Sequence, residues 1–300
     1  MSRLLVTGAS GFIGRRTLGL LSSRGFEVHA VARRPLPQSA DVRWHAADVL
    51  DPGQRRSLVE RVRAKHLLHL AWYGIPGSLW TATENASWVA ATIGLAQEFA
   101  HAGGERMVLA GTCAEYDWSG PQPLHEDASS APGMFYGVCK ESAGRIVAGL
   151  GANLGFEVAR GRVFFLYGPQ EDERRLVSGV ARGLVCGERV ATSTGEQVRD
   201  FLHVDDVAGA FAAIAGWGVT GIVNIGAGQG VTVRRVIDLV AAEAGRPDLL
   251  DVGALPLRPG EPPEIVASTR RLNEEVGYVP QIALEEGLAA TVAWWREHVG

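Results

Sequence analysis

The sequence predicts an α/β chain, a doubly wound parallel sheet carrying a smaller C-terminal lobe. Short apolar runs alternate with stretches of helical period from Arg3 to Val163, and strands joined through helices imply a parallel sheet covered on both faces. A glycine-rich turn separates the first apolar run from the first helical stretch. Past Gly168-Pro169 the alternation becomes irregular and prolines gather between Pro256 and Pro263. That change suits a lobe closing over the strand ends, where ligands bind in open α/β sheets.

Arg3 to Thr7 is apolar and ends in glycines, and Phe12 to Arg24 carries Ile13, Thr17, Leu20 and Leu21 at helical spacing. Glu27 to Ala32 and Val42 to His45 read as strands, Pro52 to Arg63 as a helix, and His66 to Leu70 as a fourth strand. Helix Glu84 to His101, strand Arg106 to Ala110, helix Tyr136 to Gly151 and strand Glu157 to Val163 continue the alternation. Later come a helix near Arg174 to Cys186, a short strand near Phe201 and a helix from Val204 to Ala215. A last helix, Leu284 to His298, has Leu284, Leu288, Val292 and Trp295 on one apolar stripe. Residues 1–168, with the later strand and helix near 199–225, form the larger domain; residues 169–198 and 226–300 form the lobe.

The chain has 300 residues, 46 % of them hydrophobic and 21 % charged, with a net charge of −4. It should fold throughout. No basic stripe argues for nucleic acid, and no segment has the apolar length of a membrane span or the layout of a signal peptide. Cys113, Cys139 and Cys186 show neither paired nor metal-ligand spacing. A reducing cytoplasm and no metal are expected.

Thr7-Gly8-Ala9-Ser10-Gly11-Phe12-Ile13-Gly14 sets three glycines between strand and helix. Glycine lets backbone turn tightly against a pyrophosphate, and the helix N-terminus behind it offers free N–H groups. In this strand-turn-helix context it reads as a dinucleotide loop on a Rossmann-type sheet, a tight strand-to-helix turn being the alternative. Where an acid usually binds the ribose hydroxyls of NAD, the chain has Ala32, Arg33 and Arg34. Guanidinium groups favour a 2′-phosphate by roughly tenfold or more each, so NADP is the expected cofactor. Asp48 either accepts from the adenine amino group, beside Val49, or caps the helix before Pro52.

Tyr136 and Lys140 are four residues apart at the start of a helix and share one face. A phenol with its usual pKa near 10 exchanges protons poorly at neutral pH. An ammonium about 4 Å away would favour its ionised form by about 4 kcal/mol at an effective dielectric of 20.

The segments TGASGFIG, His69-Leu70-Ala71, Thr112 before Tyr116, YGVCK and RDFLHVDD together resemble the extended short-chain dehydrogenases of the NAD-dependent epimerase/dehydratase family, nucleotide-sugar ketoreductases among them. The resemblance implies that Thr112 binds the substrate oxygen, that Tyr136 moves the proton, and that Lys140 also holds the nicotinamide ribose. It implies cofactor contacts at Leu70 and Ala71 and a supporting role for Asn85. Arg199 and Arg258 match positions that grip the diphosphate of a nucleotide sugar, and forked guanidinium donors suit that task; ion pairs with Asp200 or Glu261 are the alternative. The family's asparagine after the sixth strand is Phe165 here. Trp72, Trp80 and Trp118 are candidates for lining the sugar site or for ordinary loop packing. A homodimer formed through the helices at 84–101 and 136–151 is also implied.

The expected activity is NADPH-dependent reduction of a keto group, at C4, on a nucleotide-linked deoxysugar. A 4-epimerase that retains its cofactor and a non-catalytic dinucleotide sensor are the alternatives. Thr112-Cys113-Ala114 lacks the Asp-Glu pair of the 4,6-dehydratases, and Cys113 falls one residue from the cysteine of the epimerase-reductases. It is therefore expected to be a buried small residue.

Overall fold

The computed structural model describes residues 1–34, 36–38, 41–216, 218–257 and 260–299. The first half runs β1 (Ser2–Thr7), α1 (Gly14–Ser23), β2 (Phe26–Ala32), β3 (Val42–Ala46), α2 (Pro52–Val62), β4 (His66–His69), α3 (Glu84–His101), β5 (Arg106–Thr112), α4 (Phe135–Leu154) and β6 (Glu157–Val163). There follow β7 (Phe165–Tyr167), α5 (Leu176–Val185), β8 (Val190–Thr192), β9 (Val198–Arg199), β10 (Phe201–His203), α6 (Val204–Gly216) and β11 (Gly221–Ile225). The chain closes with β12 (Val231–Thr232), α7 (Val233–Ala244), β13 (Leu250–Val252), β14 (Glu264–Ile265), α8 (Arg270–Glu274) and α9 (Leu284–His298).

The central sheet has seven strands in the order β11-β6-β5-β4-β1-β2-β3, each pair parallel. Strand order reverses between β1 and β4, so the crevice outside their carboxyl ends is where such sheets take ligands. One face packs Leu4, Val6, Val28 and Val108 against α1 and α6, where Leu18, Phe211 and Ile214 are buried. The other packs Leu5, Leu67, Met107 and Leu109 against Leu58 of α2, Leu95 and Phe99 of α3 and Val147 of α4. Leu4 and Leu5 serve opposite faces, as period-two alternation requires.

The strand expected near Phe201 is present but pairs with β7 outside the central sheet. The seventh strand is β11, whose run Gly221–Ile225 follows α6 and joins β6. The sequence reading also passed over α7, although Val233, Val236, Ile237 and Val240 lie at helical spacing and are buried. Thr232 caps its N-terminus, and Gly245, in the left-handed region, ends it.

α5, α7 and α9 enclose a separate cluster of Val180, Leu184, Val236, Val240, Leu288, Val292 and Trp295. The stripe expected on the last helix is the one buried there, with Leu284 partly buried at its edge. Asp200 ties this part to the sheet. Its carboxylate accepts N–H bonds from Ala227, Gly228 and Ala267 at 2.6, 3.0 and 3.1 Å. Burial pushes its pKa up to about 6 against the pull of these donors.

Candidate active site

The glycine loop leaves β1 at Gly8, whose φ of 70° lies in the left-handed region. A Cβ there would sit 2.6 Å from the Ala71 nitrogen and 2.7 Å from the Leu70 carbonyl carbon. The loop is therefore pressed onto the end of β4 at the two residues expected beside the cofactor. A Cβ at Gly14 would collide with the Gly8 carbonyl oxygen. α1 has no side-chain cap and no acid in its first turn, which leaves its amides and positive end to a phosphate. Ser10 and Gly11 are exposed at the lip, while Phe12 and Ile13 are half-buried. Loop and helix end thus fit a dinucleotide.

Arg33 and Arg34 follow β2 directly and are exposed. Asp48 does not cap α2. Asp51 does, accepting the Gln54 N–H at 2.8 Å, while Asp48 accepts from Leu50 N–H at 3.0 Å within the turn. The Val49 side chain packs in the core and its carbonyl accepts from Arg55, so any cofactor contact there is left to its backbone N–H.

Thr112 ends β5 in extended conformation and caps a 3-10 turn at Cys113–Glu115. Its Oγ1 accepts from Ala114 N–H at 3.3 Å, and its own N–H donates to Glu115 Oε1 at 2.9 Å. Tyr136 is the second residue of α4. Its N–H donates to the Trp80 carbonyl at 3.1 Å, and the Trp80 ring meets its ring edge-on at 5.7 Å. Burial pushes the Tyr136 phenol pKa up and the Glu115 charge adds to this, while a hydrogen bond from Thr112 and the charge of Arg175 pull it back.

Lys140 departs from the electrostatic expectation. Its Nζ donates to the Ala110 carbonyl at 2.8 Å and lies 4.1 Å from the centroid of the Trp72 ring. Burial lowers its pKa to about 7, with Arg160 acting in the same sense and Glu115 opposing. It is thus only partly charged at neutral pH, and the phenol pKa rises where the spacing had suggested a fall. His69 lies close by, hydrogen-bonded to Thr7 Oγ1 at 2.6 Å and Thr92 Oγ1 at 2.9 Å. Burial and the Lys140 charge bring its pKa down to about 3, so it is neutral.

Beneath this site lies a charge network that the sequence reading missed. Arg162, with no exposed surface, donates from Nε to Glu115 Oε2 and from Nη2 to Glu141 Oε2, both at 2.7 Å. Arg160 bonds the same two carboxylates at 3.4 and 2.8 Å, and Arg162 also lies 4.0 Å over the Tyr116 ring. The arginines hold the Glu141 carboxyl below the usual range although burial acts the other way. Glu115 in turn holds the Thr112 N–H, and Glu141 is the residue after Lys140. The signal was readable: two arginines at i and i+2 within one strand share a face and, if buried, need acids.

Arg199 is buried and engaged, bonding Glu261 Oε1 at 2.9 Å and the Val198 and Pro262 carbonyls. The ion-pair alternative holds here, so a phosphate at Arg199 would have to compete with Glu261. Phe165 lies under that guanidinium at 5.5 Å. Arg258 lies outside the described residues. Cys113 is buried as expected, its thiol pKa pushed up to about 12 by burial. Asn85 is fully buried and bonds the Trp72 indole N–H and the Leu79 and Ala82 carbonyls. It supports the loop over the site.

Comparison with known proteins agrees with this fold. The model of the NAD dependent epimerase/dehydratase family matches residues 4–226. The chain belongs to that family. It is 27 % identical to a dTDP-glucose 4,6-dehydratase of Streptomyces griseus across 99 % of this chain and 95 % of that one. It is also 27 % identical to a UDP-glucose 4-epimerase of Corynebacterium glutamicum over 93 % of this chain and 91 % of its relative. The UDP-glucose 4-epimerase of Thermus thermophilus, solved with NAD, superposes with a TM-score of 0.87 at 26 % identity, covering 99 % of this chain and all of that one. The seven-stranded parallel sheet flanked by helices is thus the fold of this nucleotide-sugar family. Among the described residues no helix is long and apolar enough to cross a membrane.

Proposed function

We propose that this member of the family is an NADPH-dependent ketoreductase acting on C4 of a nucleotide-linked deoxysugar. The observation that carries the reading is the end of β2, where two exposed arginines stand and no carboxylate occurs among Ala32, Arg33 and Arg34. A 2′-phosphate suits that pair, and a cofactor bound for its reducing power is one that is consumed. Gly8, Ser10, Gly11, Phe12, Ile13 and Gly14 would hold the pyrophosphate, Arg33 and Arg34 the 2′-phosphate, and Lys140 the ribose. When bound, the cofactor supplies the hydride.

Tyr136 gives its phenolic proton to the carbonyl oxygen as that oxygen gains charge. The phenol is protonated at neutral pH, and a charged Lys140 one turn along α4 would offset the charge that develops on it as the proton leaves. Thr112 Oγ1, fixed by the turn that it caps, donates a second hydrogen bond to the same oxygen. Cys113 and Ala114 provide no acid and base for eliminating water, so dehydration is not part of the reaction.

A second reading, 4-epimerisation with retained cofactor, is favoured by the likeness to the two UDP-glucose 4-epimerases named above. Turnover separates the two. With a 4-keto nucleotide sugar the ketoreductase consumes NADPH one for one, whereas net consumption of none with interconversion of C4 epimers would establish the second. In D2O with unlabelled NADPH, deuterium appearing at a ring carbon above the non-enzymatic background would refute simple reduction. A homodimer through α3 and α4, which lie side by side, completes the proposal; sedimentation as a monomer at micromolar concentration would refute it.

A further inference from the structure

The loop between β4 and α3 touches both members of the Tyr-Lys pair. Trp80 lies edge-on to Tyr136 and accepts its backbone N–H. Trp72, three residues after His69, turns its ring face to the Lys140 ammonium at 4.1 Å. Its indole is fixed from two sides, by the N–H bond to Asn85 Oδ1 at 2.8 Å and by the Trp88 ring at 6.2 Å. Asn85 spends its amide on the Leu79 and Ala82 carbonyls of the same loop. A cavity of about 10 Å³, room for a single water, lies between Trp72, Lys140, His69 and Thr92.

We propose that Trp72 is the positioning residue for Lys140, its indole face holding the ammonium in place while Asn85 and Trp88 hold the indole. Burial drives a lysine toward its neutral form, and a desolvated aromatic face opposes this by favouring the charged one. The ionisable groups facing Lys140 are Glu115 from the turn after β5, Arg160 from β6 and His69 from β4. Tyr136 is one turn earlier on its own helix. Of these only Glu115 favours the charged lysine; the Ala110 carbonyl accepts from the ammonium at 2.8 Å, and the ring is a further support. The structural role stands apart from the reaction; its kinetic consequence rests on the ketoreductase reading.

The chain has two lysines, Lys65 and Lys140, and Lys65 is exposed beside Glu105. Lysine labelled at Cε therefore gives two NMR signals, and Lys65→Arg assigns them. The Lys140 signal should titrate near pH 7. In Trp72→Leu its midpoint should fall by about one pH unit, and fluorinated tryptophan, which weakens the ring face without changing its shape, should lower it in steps with fluorine content. That series decides the matter even if Trp72→Leu does not fold. Ketoreductase turnover in Trp72→Leu should drop by about five- to tenfold at pH 7.5 and recover near pH 5.5, because a lower midpoint removes the ammonium earlier as pH rises. A purely packing role would lower turnover equally at both values. A Lys140 midpoint unmoved in both Trp72→Leu and the fluorinated protein overturns the proposal, as does a moved midpoint with an unmoved pH profile. A wild-type chain that turns over no ketone sinks the ketoreductase reading instead, and the NMR midpoint then decides the role of Trp72.

Discussion

Replacing Arg162 by Met tests whether the buried charge network holds the site together. The guanidinium has no exposed surface and makes 2.7 Å ion pairs to both Glu115 and Glu141. Its removal leaves Glu115, itself fully buried, with only Arg160 at 3.4 Å. Breaking one side of a buried pair costs about 3–5 kcal/mol. Because Arg160 still reaches both acids, the lower end applies, about 3 kcal/mol, or a fall of about two orders of magnitude in the folded-to-unfolded ratio. Urea unfolding followed by tryptophan fluorescence reads this directly. Turnover should fall as well, because Glu115 Oε1 would no longer be fixed beneath the Thr112 N–H. Glu115→Gln with Arg162→Met should cost less than the sum of the single changes, since the double variant leaves no unpaired charge between them. A loss below about 1 kcal/mol for Arg162→Met, or strict additivity in the pair, would refute the reasoning.

Tyr136→Phe should lower turnover by about 10² to 10⁴ from lost proton transfer while leaving NADPH affinity near that of the wild type; unchanged turnover removes Tyr136 from its role. Kd for NADPH should lie well below that for NADH, and Arg33→Ala should shrink the gap by roughly tenfold; equal affinities in the unaltered chain contradict the NADP assignment. Burial pushes the Glu171 pKa up to about 8, so the folded state keeps a proton that the unfolded chain releases near pH 4.3. Its contribution to stability is full below that lower value and is lost as pH rises toward 8. Glu171→Gln should therefore gain over the wild type in urea midpoint between pH 5 and pH 8. A difference that does not change over that range rules this out.

What the sequence determined by itself was what neighbouring residues decide among themselves. Alternating apolar runs set strand against helix, the Gly8 to Gly14 loop set the turn and the uncapped start of α1, and the spacing of Tyr136 and Lys140 put both on α4. α3 and α9 begin and end where periodicity placed them, because their apolar faces are continuous along the chain. Tertiary structure decided matters in which residues far apart compete for one partner. Short strands such as β7 and β10 exist only as each other's edge. The strand near Phe201 was legible, but its partner β7 and its place outside the central sheet are pairings that no local period encodes. Asp48 was the cap that the sequence offered, but the turn after β3 gives the Gln54 N–H to Asp51 instead. Arg199 met Glu261, sixty-two positions away, and Lys140 met the Trp72 ring and the Ala110 carbonyl. A long, flexible charged side chain reaches whatever lies within several ångströms, and only the packed fold determines what lies there.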